Sequence, residues 1–245
     1  MSEWLFDLGN SRLKCAPMDG AGHVGEVLAI EHDGCRFAPG WTARLPARIG
    51  AAHVASVAAP ALRVALLEVL AGRCGRIGLA ATQRSWAGLR IAYAEPARLG
   101  VDRFLALLAA HARGGPWLVA GVGTALTVDL VDAGGNHHGG RIAPSPALMR
   151  QALQGRAAQL PAEGGQYHEF ATDTDDALAS GCTGAALGLL ERSRATAALR
   201  CGGEVPLLLH GGGAPALLEH LPRAVYAPTL VLEGLARWAC IGTTA

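Results

Sequence analysis

The feature that most constrains the fold of this chain is an internal repeat. The motif DLGNS at 7–11 and the motif GVGTA at 121–125 occupy matching places in the sequence, 114 residues apart. Each motif lies at a turn of a predicted β-meander, and alternating strands and helices follow each meander. The pattern predicts a duplicated α/β protein with mixed sheets, one domain at 1–115 and one at 116–245. We expect a ligand cleft between the two domains.

The predicted elements follow the hydrophobic periodicity of the sequence. In the first half, strands are predicted at 3–8, 12–18, 24–30, 49–57, 76–81 and 89–94, with helical segments at 61–70 and 95–113. In the second half, strands are predicted at 117–121, 125–132, 138–142, 205–209 and 225–226. Helices are predicted there at 147–153, 175–198, 214–221 and 229–240.

The amino-acid composition limits the kinds of molecule that this protein is expected to bind. The 245 residues carry 21 basic and 20 acidic side chains, a net charge of +1, which excludes the polycationic field that holds nucleic acid or an anionic membrane. No apolar run is long enough to span a bilayer, and the first ten residues do not resemble a signal peptide. Six scattered cysteines show no zinc-binding spacing and are expected to be reduced thiols. The sequence predicts a cytoplasmic, globular protein that acts on small molecules.

The first turn, Asp7 to Lys14, carries groups suited to phosphate. Its glycine lets a ligand approach the backbone, and Asp7 could bind Mg²⁺ directly or through water. Lys14 is the single lysine among 21 basic residues. Its retention favours a site that needs a compact ammonium, although chance survival on the surface explains it too. An ordinary hairpin with Asn10 at the bend is the other interpretation of this turn.

Two further segments carry candidate chemistry. The turn GTALTVD at 123–129 presents hydroxyls, among them that of Thr124, which suit a phosphate clamp or simply a polar hairpin. No P-loop motif occurs in the chain. In GVDR at 100–103, Asp102 is either an acid in the first turn of a helix or a general base, with Arg103 binding an anionic substrate. The pair His137-His138 is interpreted as two solvent-exposed imidazoles.

In their order and spacing, these motifs resemble those of the type III pantothenate kinases. This family is related to the Bvg accessory factor, within the superfamily of actin, sugar kinases and acetate kinase. The motifs are DLGNSRLK at 7–14, GVDR at 100–103, GTALTVD at 123–129, GGRIAP at 139–144, Thr174–Ala177 and LVLEGL at 230–235. The resemblance implies two ribonuclease-H-like (actin-like ATPase) domains, a homodimer, and ATP-dependent phosphorylation of pantothenate to 4′-phosphopantothenate, the first step of coenzyme A biosynthesis.

The resemblance also implies roles for individual residues. Asp102 would be the catalytic base, and Thr174 would reach pantothenate from the other subunit. Asp7 would hold Mg²⁺. The remaining contacts to pantothenate would come from Tyr93, Gly100, Val101 and Arg103, and those to ATP from Asp7, Leu8, Gly9, Asn10, Ser11, Arg12, Leu13, Lys14 and Thr124.

The chain departs from the family pattern at three positions in its second half. Gly121 replaces an aspartate that helps to hold K⁺ or NH₄⁺, Ser145 replaces a glycine, and Gly213 ends a loop in which the family has an acidic residue. The glycine at 121 predicts a protein that either works without the monovalent cation or needs unusually high concentrations of it, and the three departures predict weaker nucleotide binding. They leave open a second hypothesis, a catalytically degenerate homologue with a regulatory role. A related sugar or acetate kinase is a third, disfavoured by the short chain.

Overall fold

The computed structural model describes residues 2–242, which divide into two compact units. The first unit contains the described residues up to Gly114, together with Gly135–His137 and the chain from Thr229 onward. The second unit contains Gly115–Gly134 and His138–Pro228. Within residues 2–242, no helix combines the length and hydrophobicity that crossing a membrane requires.

The first unit is built on a mixed five-stranded sheet. Its strands are β1 (Glu3–Leu8), β2 (Arg12–Met18), β3 (Leu28–Glu31), β4 (Ala51–Ser56) and β5 (Ile77–Leu79), in the order β3-β2-β1-β4-β5. The first three strands pair antiparallel, and β4 pairs parallel with both β1 and β5. The unit also contains α1 (Pro60–Ala71), the short hairpin β6 (Ser85–Trp86) and β7 (Leu89–Arg90), and α2 (Val101–Ala112).

The second unit repeats this arrangement. Its sheet has the order β10-β9-β8-β11-β12, formed by β8 (Trp117–Val122), β9 (Ala125–Val131), β10 (His137–Pro144), β11 (Leu207–His210) and β12 (Ala224–Tyr226). Strands β8 and β9 are antiparallel, and β11 runs parallel to β8 and β12. The helices are α3 (Pro146–Gln154), α4 (Thr174–Cys201) and α5 (Ala214–Leu218). The predicted fold class of a duplicated α/β protein with mixed sheets is confirmed.

Each sheet buries alternate residues against a helix. In the first unit, Phe6 and Leu8 of β1 lie in a core with Leu62, Leu66 and Leu70. The three leucines recur every four residues and so form one face of α1. In the second unit, the corresponding core combines alternate residues of β8 and β9 with the inner face of α4: Leu118, Ala120, Val122, Leu126, Val128, Ala186, Leu190 and Ala197.

The last helix, α6 (Leu230–Gly242), belongs to the first unit, whereas the predicted range 116–245 assigned it to the second domain. It packs closely on α2, where Gly234 contacts the backbone of Leu105 so tightly that a β-carbon would collide. The apolar face of α6, including Leu230 and Leu235, is buried. Burial of this face explains why α6 folds with α2 despite its distance in the sequence.

Several predicted strands are shorter than expected, and two of them pair over only part of their predicted length. The strand predicted at 24–30 pairs only from Leu28, with an isolated bridge between Val24 and Met18. The strand predicted at 89–94 pairs only at Leu89–Arg90. Alternation of buried and exposed residues continues beyond Arg90, but the structure records no paired strand over 91–94.

Candidate active site

The hairpin between β1 and β2 forms the first part of the site. Asp7 stands directly opposite Lys14 in the antiparallel register, and the amide of Gly9 donates to the carbonyl of Arg12 at 3.1 Å across the turn. The carbonyl of Gly9 also accepts a hydrogen bond from Nε2 of His32 at 3.0 Å. Residues 10–12 at the bend are exposed. The turn therefore offers backbone and side-chain donors next to Asp7 and Lys14, which stand opposite each other in the hairpin.

Two of the predicted nucleotide contacts are core residues. Leu8 and Leu13 face each other across the hairpin and are fully buried. Their side chains pack in the core of the first unit, so only their backbone groups remain to contact a ligand.

The carboxyl of Asp7 is held in an unusual electrostatic environment. The pKa of Asp7 is raised from 3.8 to about 7: burial raises it most, the negative charge of Asp102 also raises it, and the charge of Lys14 partly opposes both effects. The structure thus brings Asp7, Asp102 and Lys14 within electrostatic reach of one another. Two carboxylates with one ammonium leave an excess of negative charge, which is the condition that favours a bound cation.

Asp102 lies in the first turn of α2, where the helix dipole stabilises a negative charge. Its Oδ1 accepts from the backbone amide of Arg103 at 2.8 Å. Gly100 is the N-cap residue, and a β-carbon there would lie 2.5 Å from Oδ1 of Asp102. The glycine of the GVDR motif therefore leaves the room that the Asp102 carboxylate occupies. Val101 and Arg103 are buried.

The ring of Tyr93 contacts the guanidinium of Arg103 and the imidazole of His137. The guanidinium carbon of Arg103 is 5.9 Å from the centroid of the Tyr93 ring, and its Nη1 donates to the tyrosine Oη at 3.4 Å. The imidazole of His137 stacks on the same ring, with centroids 5.9 Å apart and planes at 23°. Tyr93 and Arg103, both predicted to contact substrate, are thus adjacent, and His137 joins them.

The interpretation of His137-His138 as two exposed imidazoles is wrong for His137. Its side chain is only 3% exposed, whereas the exposed His138 pairs with Asp132 at 2.8 Å. The tip of the β9–β10 hairpin docks on Arg90, whose amide donates to the carbonyl of Gly135 at 2.8 Å and whose Nε donates to Oδ1 of Asn136 at 2.9 Å. This docking buries His137, and no local pattern in the sequence signals it.

The β8–β9 turn of the second unit carries Thr124, which is exposed. The amide of Gly123 donates to the carbonyl of Ala125 at 2.9 Å, so this turn is one residue shorter than its counterpart in the first unit. The carbonyl of Thr124 accepts from the amide of Ser145 at 3.4 Å. Thr124 is therefore held on a tight turn, with its side chain accessible.

Ser145 has a structural role. It is the N-cap of α3, its Oγ accepts from the amide of Leu148 at 3.3 Å, and the residue is buried. A serine supplies a helix-capping acceptor that the family's glycine lacks.

The other two departures lie together at the end of β8. Gly121 stands opposite His210 of β11, and the loop after His210 folds over Val122. Gly211 has φ +96°, and its β-carbon would collide with the backbone of Val122. The amide of Gly213 donates to the carbonyl of Val122 at 3.0 Å. A side chain at 213 would lie 2.8 Å from Cγ1 of Val122, which explains the glycine.

Thr174 begins α4 and is exposed. Asp173 is the N-cap, and its carboxylate accepts from the amide of Asp176 at 2.9 Å. Thr174 lines an open cavity of about 410 Å³ in the second unit, together with Leu160, Ala177 and Leu178. Its hydroxyl is thus accessible to a ligand or to another chain.

Comparison with known proteins places the chain in a family. A family model for type III pantothenate kinase matches residues 4–195. A type III pantothenate kinase of Stenotrophomonas maltophilia is 57% identical over 98% of both chains. Two solved structures show the same fold: a Baf family protein from Campylobacter jejuni (TM-score 0.66, 17% identity, 99% of this chain and 100% of that one) and an archaeal actin homologue (TM-score 0.51, 10% identity, 99% and 100%). The chain belongs to the type III pantothenate kinase family.

Proposed function

We propose that this protein transfers the γ-phosphoryl group of ATP to pantothenate, giving 4′-phosphopantothenate and ADP, the first step of coenzyme A biosynthesis. The observation that carries the proposal is the grouping of Asp7, Lys14 and Asp102, in a chain of this family. Phosphoryl transfer needs positioning and neutralisation of charge more than covalent help from the protein. The charges of Asp7, Lys14 and Asp102, which lie within electrostatic reach of one another, can supply these needs.

Asp102 is the proposed general base. It accepts the proton of the pantothenate hydroxyl as the hydroxyl oxygen attacks the γ-phosphorus, and the bond to the bridging oxygen breaks to release ADP. Arg103 and Tyr93 are proposed to bind pantothenate, whose carboxylate suits a guanidinium. Gly100 and Val101 would contribute backbone contacts. The adjacency of Arg103 and Tyr93 supports this assignment.

ATP is proposed to contact the hairpin from Asp7 to Lys14 and the turn that carries Thr124. Lys14 would neutralise phosphate charge, and the exposed amides and side chains of residues 10–12 would bind phosphate oxygens. Asp7 is proposed to hold Mg²⁺, which would supply charge neutralisation on the phosphates. The excess negative charge around Asp7 fits this ion. Among residues 2–242 no group of three His, Cys, Asp or Glu could hold a metal, and Mg²⁺ held by one carboxylate and substrate phosphates needs none.

We further propose a homodimer in which Thr174 completes the pantothenate site of the partner. Large apolar side chains in this part of the second unit are exposed: Phe170 by 96%, Ile142 by 67% and Leu153 by 48%. Leu153 also lines an apolar cavity of about 440 Å³ with Met149, Leu178 and Cys182. Exposed apolar surface of this kind favours association. The cytoplasmic location predicted from the sequence stays a prediction.

The test is to incubate the purified protein with ATP, Mg²⁺ and pantothenate and to follow the products by ³¹P NMR. We expect a phosphomonoester resonance that grows with ADP and depends on pantothenate. A protein that binds ATP and pantothenate but forms no phosphomonoester would instead support the degenerate, regulatory homologue. Hydrolysis of ATP without pantothenate phosphorylation would contradict the proposed substrate.

A further inference from the structure

The repeated strand order gives positions in the first unit counterparts in the second. Asp7 is the fifth residue of β1, and Gly121 is the fifth residue of β8. On the adjacent parallel strand, Asp7 stands beside Ala55, whereas Gly121 stands beside His210. The first unit therefore pairs a carboxylate with a small neighbour. The second unit pairs a glycine with an imidazole.

The imidazole of His210 occupies the space that a side chain at position 121 would need. A β-carbon on Gly121 would lie 2.9 Å from both Cε1 and Nε2 of His210, and 2.9 Å from Oγ1 of Thr127 on the other side. Contacts below 3.0 Å are essentially never made by real β-carbons. A carboxylate at 121 would therefore have to displace the imidazole. In this chain an aspartate stands beside an alanine in the first unit, and a glycine stands beside a histidine in the second.

The donor set at this position does not suit a hard monovalent cation. The family resemblance implies a carboxylate here to hold K⁺ or NH₄⁺, and such cations prefer oxygen ligands. An imidazole nitrogen suits transition metals instead, and a protonated imidazole carries a positive charge of its own. Thr127 offers a single hydroxyl. The residues around Gly121 therefore do not fit the implied ion.

We infer that His210 closes this position to a monovalent cation and that this kinase works without K⁺ or NH₄⁺. The inference rests on the proposed kinase function. Asp129 is the carboxylate that would bind a cation near Gly121 if this inference is wrong. It follows Thr127 by two residues in β9, so both side chains point to the same face of the sheet. The experiment therefore includes a variant at this position.

The test compares K⁺ with Na⁺ at constant ionic strength in four proteins: wild type, His210→Ala, the double variant Gly121→Asp/His210→Ala, and Asp129→Asn. The double variant restores the combination found at Asp7 and Ala55. Two quantities are measured, the initial rate of pantothenate phosphorylation and the affinity for a non-hydrolysable ATP analogue with Mg²⁺ by calorimetry. The second readout does not require catalysis, so it tests the cation site even if the proposed reaction is wrong.

The wild type is expected to show the same rate and the same nucleotide affinity in K⁺ and Na⁺. The double variant is expected to gain K⁺ dependence of nucleotide affinity of about tenfold, the equivalent of one well-placed charge interaction. Strong K⁺ activation of the wild type that persists in His210→Ala would overturn the inference. Activation that disappears in Asp129→Asn would also overturn it and would identify Asp129 as the ligand. Failure of every protein to phosphorylate pantothenate would refute the proposed function, while the calorimetry still decides the cation site.

Discussion

The most informative perturbation of the site is Asp7→Asn, because it separates stability from function. Burial and the charge of Asp102 raise the pKa of Asp7 from 3.8 to about 7, so the folded protein favours the protonated carboxyl. Below the unfolded pKa both states are protonated, and Asp7 contributes no pH dependence. As the pH rises from about 4 to about 7, the unfolded carboxyl ionises before the folded one, and the fold loses stability.

The magnitude follows from the same pKa values. At about 1.36 kcal/mol per pKa unit, a rise from 3.8 to about 7 corresponds to about 4 kcal/mol at most. Asp7 is partly buried, and screening by solvent lowers the expected value to about 2–4 kcal/mol. Asparagine has the same shape and no charge. The difference in free energy of unfolding between Asp7→Asn and the wild type should therefore increase, in favour of Asp7→Asn, by about 2–4 kcal/mol between low and high pH.

The assay is urea unfolding followed by circular dichroism, in EDTA, at several pH values between about 3 and about 8 that span both pKa values. Asp19→Asn is the control, because hydrogen bonds from His23 lower the pKa of the exposed Asp19 and give the opposite sign. Adding Mg²⁺ with an ATP analogue should stabilise the wild type more than Asp7→Asn at high pH, because the bound ion favours the ionised carboxylate. Parallel stability curves for wild type and Asp7→Asn would refute the electrostatic account of this site.

Three further changes test other parts of the structure. His137→Leu removes the ring stacked on Tyr93 and should raise KM for pantothenate about two- to tenfold with a smaller change in kcat, because an aromatic pair is worth about 0.5–1.5 kcal/mol. His137→Phe keeps a ring and should retain most of the affinity, whereas equal kinetics in wild type and His137→Leu would show that the stack does not position Tyr93. Sedimentation equilibrium should give about twice the chain mass of 25.2 kDa, and Phe170→Ser should weaken the association; a fully active monomer would contradict the proposed dimer. Ser145→Ala should lower the free energy of unfolding by about 1 kcal/mol through loss of the α3 cap, with Ser145→Gly less affected; an unchanged Ser145→Ala would remove the capping role.

The sequence was most informative where structure is local. The strands predicted at 3–8 and 12–18 coincide with β1 and β2, because apolar alternation and the turn at Gly9-Asn10 specify the hairpin. The matching motifs 114 residues apart likewise predicted a duplicated fold with mixed sheets, and the two sheets have the same strand order. The GVDR motif predicted a carboxylate at the start of a helix, where Asp102 lies.

Contacts between distant segments could not be predicted in this way. His137 is buried on Tyr93 because a hairpin tip docks on Arg90, and nothing in the neighbouring sequence signals that docking. The substitution at Gly121 suggested only a lost ligand, since the compensating His210 lies on a strand far along the chain. Ser145 was interpreted as a departure on the nucleotide side, although its neighbours Pro146 and Leu148 are consistent with a helix cap. The C-terminal helix α6 was assigned to the second domain because it follows that domain in the sequence. In the structure its apolar face is buried in the first unit, against α2.

The rate of 4′-phosphopantothenate formation in wild type and Asp102→Asn, followed by mass spectrometry, tests the proposed reaction and its general base together. We expect the wild type to form phosphopantothenate and ADP in equal amounts. Asp102→Asn is expected to lower kcat by roughly 10²–10⁴-fold, the usual contribution of a general base, while its stability stays close to that of the wild type. Asp175→Asn, an exposed acid in the first turn of α4, is the matched control and should retain the wild-type rate. Normal turnover by Asp102→Asn would show that Asp102 is not the general base and serves only in the first turn of α2. Absence of phosphopantothenate from the wild type would contradict the proposed function.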